Sequence, residues 1–140
     1  MDSLFWSRLH GGATHFPIAL IFAAALFDGL GFIWRRCQRW REFKLVGYWL
    51  AIFAALSCFA AVFSGLALSK WKTGGTGLVW RHHLFVWPAF ALIVALGTWR
   101  FLIGYDISRR ASVFYLGMMI VACALVSAAG FYGGEMLLGH

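Results

Sequence analysis

Five histidines, His10, His15, His82, His83 and His140, are the side chains of this sequence best suited to hold a redox centre. Neutral imidazole ligates haem iron, copper and zinc through one ring nitrogen, and helical bundles build such sites from side chains on facing helices. His15 and His83 open the first and third long apolar segments. In an antiparallel bundle those two segments run parallel, which puts the two imidazoles at similar depth. Adjacent helical residues point about 100° apart, so only one of His82 and His83 faces the bundle interior, and the deeper His83 is expected to be that one. A bis-histidine haem b is the natural occupant, with His15 and His83 as axial ligands. His10 and His140 are the next metal-ligating candidates, enough for a second haem or a separate metal. Arg8, Lys70, Lys72 and Arg81 share that end of the segments and are placed to pair with haem propionates. Taken singly, each histidine also reads as an amphipathic residue at a membrane interface.

Two carboxylates bear on the same chemistry. Asp28 lies nearly four helical turns beyond His15, roughly 20 Å deeper and on almost the opposite side of an ideal helix. A lone charge at that depth costs about 2.5–3.5 kcal/mol, so Asp28 is expected to meet Arg100 or Arg35, a backbone donor or a polar cavity, or to be protonated. A proton relay and a quinone contact are its functional alternatives. Glu135, after Gly133 and Gly134, reads as a solvated carboxylate, with a quinol proton acceptor as the alternative. Cys37, Cys58 and Cys123 form no CxxC and no CxxCH, which excludes a thioredoxin-like dithiol and a covalently attached c-type haem. Cys58 and Cys123 read as small apolar core residues.

The elements that must carry these side chains follow from composition. Of 140 residues 62% are apolar and 12% charged, with a mean hydropathy of +0.78. That leaves too little polar surface to cover a water-soluble globule. A bilayer core takes about 20 apolar residues per helix, so the chain divides into four spans of a single transmembrane domain, at about 16–34, 45–69, 83–104 and 111–134. Open sheet edges cannot be solvated by hydrocarbon and no barrel-like alternation is present, so the class is an all-α integral membrane four-helix bundle. The first apolar run extends to Trp34, longer than a signal-peptide core, and reads as a retained helix. The net charge of +7 does not point to nucleic acid, because the basic residues lie between apolar segments. Arg35, Arg36, Arg39, Arg41, Lys44, Arg100, Arg109 and Arg110 fall on one side, and Arg8, Lys70, Lys72 and Arg81 on the other. By the positive-inside rule the first group is cytoplasmic, and the N-terminus, the C-terminus and every histidine are expected on the outer, periplasmic side. Small-residue spacings such as Gly47/Ala51/Ala55 and Ala61/Gly65 support close helix packing. A faint internal echo pairs His15 and Pro17 with His83 and Pro88.

Three stretches carry a family resemblance: His10-Gly-Gly-Ala-Thr-His15-Phe-Pro-Ile-Ala-Leu20, the His82-His83 pair, and Gly133-Gly134-Glu135-Met-Leu-Leu-Gly-His140. Together they resemble the bacterial four-helix membrane proteins catalogued as domain of unknown function 2231, over nearly the whole chain. Members often accompany, or are fused to, cytochrome c or Rieske modules. The resemblance therefore implies electron transfer at the outer face of a bacterial inner membrane through haem b, with its histidine positions at His10, His15, His83 and His140. Gly11 departs from the pattern, where the family commonly has proline. The expected function is a small cytochrome b subunit that links the quinone pool to a periplasmic cytochrome c or Rieske-type partner within a multisubunit complex. A noncatalytic membrane anchor is the main alternative, and a metal or solute transporter the more distant one.

Overall fold

The computed structural model describes residues 3–138. Four helices account for almost all of them: α1 Ser3–Ile33, α2 Trp40–Leu68, α3 Gly77–Ile103 and α4 Arg109–Leu138. At 1.5 Å per residue each is about 40–47 Å long, and all four are long and apolar enough to cross a membrane. No strand occurs among the described residues. The fold is the all-α bundle that the composition requires.

The helices overrun the apolar spans at most ends, and the difference matters for the histidines. α1 starts at Ser3, well before residue 16, so His10 and His15 ride inside it instead of capping it. α3 starts at Gly77, which puts His82 and His83 in its second turn. Propagating a helix needs only the next backbone hydrogen bond, so it continues through polar residues once a long apolar stretch has nucleated it. Pro17 sits buried within α1, and Pro88 is exposed within α3. α3 ends at Gly104, whose φ of 91° lies where a side chain is disfavoured, and whose N–H closes on the Arg100 carbonyl at 2.8 Å. α2 ends without glycine: Lys70 and Trp71 adopt φ of 54° and 64°, and the Trp71 N–H reaches back to Leu66 O at 2.7 Å.

Contacts run around the ring α1–α2–α3–α4 and back to α1, so α1 faces α3 across one diagonal and α2 faces α4 across the other. Successive helices are antiparallel, and α1 and α3 are parallel. The interior is built from small residues, Ala24, Ala51, Ala54 and Ala122, with Ile21, Ile93, Leu96 and Met119 filling the gaps. Phe16, Phe63, Phe101, Phe114, Ile120 and Phe131 lie on the exterior, each more than half exposed. Small inside and large apolar outside is the arrangement that suits lipid, where helix association depends on close backbone approach. The closest approach is at Gly97, where a Cβ would stand 3.0 Å from the Ala51 carbonyl of α2.

The two hairpins share a spacing of buried positions. Buried Pro17, Ile21, Ala24 and Asp28 of α1 correspond to buried Ala89, Ile93, Leu96 and Arg100 of α3, all at the 72-residue separation of Asp28 and Arg100. In the second helices, Lys44, Gly47, Ala51, Ala54, Cys58 and Ala61 match Ser112, Tyr115, Met119, Ala122, Val126 and Ala129, again at one constant separation. An approximate two-fold rotation about the bundle axis therefore exchanges α1α2 with α3α4.

Candidate functional site at the histidine end

The same two-fold relation governs the histidines. His10 of α1 donates its Nδ1–H to Ala61 O of α2 at 3.1 Å, with Ser64 Oγ also at 3.1 Å. His82 of α3 donates its Nδ1–H to Ala129 O of α4 at 2.8 Å. Ala61 and Ala129 are symmetry mates, as are His10 and His82. A carbonyl can only accept, so in both rings Nδ1 carries the proton and, in the neutral ring, Nε2 keeps a lone pair. Each ring also lies against a glycine one turn past the accepting carbonyl. A Cβ at Gly65 would meet His10 Cε1 at 2.8 Å, and one at Gly133 would meet His82 Cε1 at 3.4 Å. Two half-buried imidazoles thus come from diagonally opposite, parallel helices, each oriented by the next helix in the chain.

The sequence expectation put His15 and His83 in the facing pair, and the contacts select differently. His15 is exposed, and its Nδ1–H turns to Gly11 O within its own helix. His83 is half-buried beside Trp87, with ring centroids 6.4 Å apart, and its buried Nδ1 has no partner. Of the adjacent pair it is His82, not the deeper His83, that bridges to another helix. His82 precedes buried Ala89 by seven residues and Arg100 by eighteen, so it lies on the inward face of α3, and His83 is turned about 100° away. His140 lies outside the described residues. Arg8, Lys70, Lys72 and Arg81 are exposed at this end, and the Arg81 guanidinium stands 6.0 Å from the Tyr132 ring centroid. Glu135 is half-buried near the end of α4. Among the described residues no three His, Cys, Asp or Glu side chains converge.

The opposite end of the bundle is built around charge. Arg100 of α3 donates from Nη2 to Asp28 Oδ1 of α1 at 2.9 Å, across the diagonal, with the side chains 1% and 5% exposed. This meets the sequence expectation that Asp28 pairs with an arginine. Arg100 also reaches the carbonyls of Tyr105 at 3.3 Å and Lys44 at 3.4 Å, and its guanidinium stands 5.0 Å from the Tyr115 ring centroid. Gly47 makes room for the carboxylate, since a Cβ there would come within 2.7 Å of Asp28 Oδ2. Lys44 is buried, a placement its basic-loop position did not suggest. Its Nζ lies 3.6 Å from Asp106 and 3.4 Å from Ile107 O.

The profile of a family described as a predicted membrane protein, DUF2231, matches residues 7–140. No curated protein and no solved structure matches the chain. Four membrane-crossing helices agree with that description, and the chain belongs to the DUF2231 family of predicted membrane proteins.

Proposed function

We propose that the protein is a small membrane cytochrome b, an electron-transfer subunit that holds one haem b between His10 and His82 near the pseudo-two-fold axis. The observation that supports this reading is the matched pair of Nδ1–H to carbonyl bonds. Ligating histidines are characteristically fixed in this way, with the second ring nitrogen bonded to a carbonyl so that tautomer and ring plane are set before the metal binds. Gly65 and Gly133 fit the same reading, because they leave space where the ring edges lie. Bound haem would supply one-electron chemistry, and its potential would respond to ligation and burial. The chain's own residues orient the two imidazoles, keep the interior apolar, and present Arg8, Arg81 and Lys70 for the propionates. His15 and His83 remain available at this end for a second haem or metal.

In this reading the protein sits in a bacterial inner membrane with the histidine end toward the periplasm. There it exchanges electrons between a membrane quinone and a cytochrome c or Rieske-type partner, alongside other membrane subunits. Reduced-minus-oxidised visible spectra of the purified protein or its complex, with a pyridine haemochrome assay, test it. Sharp b-type bands lost in His10→Ala and His82→Ala but retained in His15→Ala would support this ligand pair. Loss in His15→Ala and His83→Ala instead would move the haem to the pair the sequence favoured. A fully assembled complex without haem would make the chain a noncatalytic anchor.

A further inference from the structure

Six buried side-chain polar atoms among the described residues have no hydrogen-bond partner, and five of them belong to the charged end of the bundle: Arg35 Nε, and within the helices the four atoms Asp28 Oδ2, Arg100 Nε, Ser112 Oγ and Tyr115 Oη. All four residues are at least nine-tenths buried. Unpartnered groups of this kind are rare singly, and their concentration in one place calls for an occupant. The set contains a donor that cannot accept, the Arg100 Nε–H, and an acceptor, the ionised Asp28 oxygen, beside two hydroxyls that can do both. Water, which donates and accepts, can partner every one of them.

We propose that this end of the bundle is a hydrated proton-binding site centred on Asp28, with Lys44 and Asp106 as its mouth. Arg100 occupies Oδ1 at 2.9 Å and leaves Oδ2 free to take a proton. The Tyr115 hydroxyl lies beside the carboxylate, and neither its Oη nor Asp28 Oδ2 has another hydrogen-bond partner. Outward from there, buried Lys44 lies 3.6 Å from Asp106, whose side chain is 59% exposed. Polar groups therefore run from solvent at the arginine-rich end to a carboxylate inside the bundle. The groups that act on Asp28 are Arg100 of α3, Lys44 of α2 and Tyr115 of α4, with Asp106 at the mouth. In the binding step, a hydronium ion at the mouth gives its proton to Asp28 Oδ2, leaving water and a neutral carboxylic acid. The site stands at the opposite end from the histidines and does not depend on haem being bound.

Infrared difference spectroscopy on the full-length protein in lipid nanodiscs tests this directly. Acidification should produce, among the carboxylic C=O bands, one that is absent in Asp28→Asn and moves in Tyr115→Phe. Ser112→Ala should alter a bound-water O–H band identified by its shift in heavy-oxygen water, and Asp106→Asn should slow deuterium exchange of the carboxylic acid several-fold. Should Asp28→Asn fail to fold, Tyr115→Phe, which keeps the ion pair, still assigns the band. A carboxylate that never titrates, or a titrating band indifferent to Tyr115→Phe, would overturn the proposal and leave a dry, permanent ion pair.

Discussion

Gly65 and Gly133 occupy equivalent positions against the two oriented imidazoles, yet they differ in tolerance. A methyl at Gly65 would stand 2.8 Å from His10 Cε1 and 3.2 Å from Nδ1, closer than carbon and nitrogen pack, whereas at Gly133 the nearest ring atom is 3.4 Å away. Gly65→Ala should therefore push His10 off the Ala61 carbonyl and lower haem content, while Gly133→Ala should leave content near wild type, both read from the haemochrome assay. The opposite end yields a prediction independent of any cofactor. Breaking a buried ion pair from one side leaves an uncompensated charge, which costs about 3–5 kcal/mol, whereas replacing both partners with apolar groups is often nearly neutral. Arg100→Met and Asp28→Leu should each destabilise the bundle on that order, and the double variant should recover much of the loss, as measured by denaturant unfolding in detergent. Equal and additive losses would mean that the pair contributes little as a pair.

Among the elements, the end of α2 is the strained one. Lys70 and Trp71 both hold the left-handed conformation, which costs a residue with a side chain roughly 1–2 kcal/mol, whereas α3 reaches its own end with Gly104 in a conformation suited to glycine. Lys70→Gly should relieve part of that strain and stabilise the protein by up to about 1 kcal/mol, and Gly104→Val should destabilise it; the same unfolding measurement decides both. The contrast also shows what could be read from the sequence. Four spans were legible because about 20 apolar residues admit few other structures, and the Asp28–Arg100 pair was among the partners that membrane energetics allowed. Helix starts were not legible, because α1 and α3 extend through Ser3–His15 and Gly77–His82, beyond the ends of the apolar spans. Depth favoured His83, whereas the inward face of α3, set by Ala89, Ile93, Leu96 and Arg100, carries His82, since adjacent residues point about 100° apart. The signal was nonetheless present. His10 and His82 share the separation of Asp28 and Arg100, and Ala61 with Gly65 repeats as Ala129 with Gly133.

Taken whole, the molecule is an approximately two-fold bundle whose two ends differ. Near the histidine end the symmetry mates remain chemically alike, imidazole with imidazole and carbonyl with carbonyl, so the axis is a natural place for a ligand that takes the same group from both sides. Near the charged end the mates differ in chemistry, Lys44 against Ser112 and Asp28 against Arg100, and the last two pair with each other across the bundle. A bundle polarised in this way should insert in one direction, because Arg35, Arg36 and Arg39 join α1 to α2, and Arg109 and Arg110 open α4, at that same end. Cys37 offers a native probe of it. It is free and exposed in the α1–α2 connection, whereas Cys58 is buried and Cys123 half-buried within helices. A membrane-impermeant maleimide should therefore leave the protein unlabelled in intact cells, and label Cys37 in inverted membrane vesicles, with Cys37→Ser removing the signal. Labelling from the outside of intact cells would place the arginine-rich end outward, and would turn the histidine pair, together with any redox partner it serves, toward the cytoplasm.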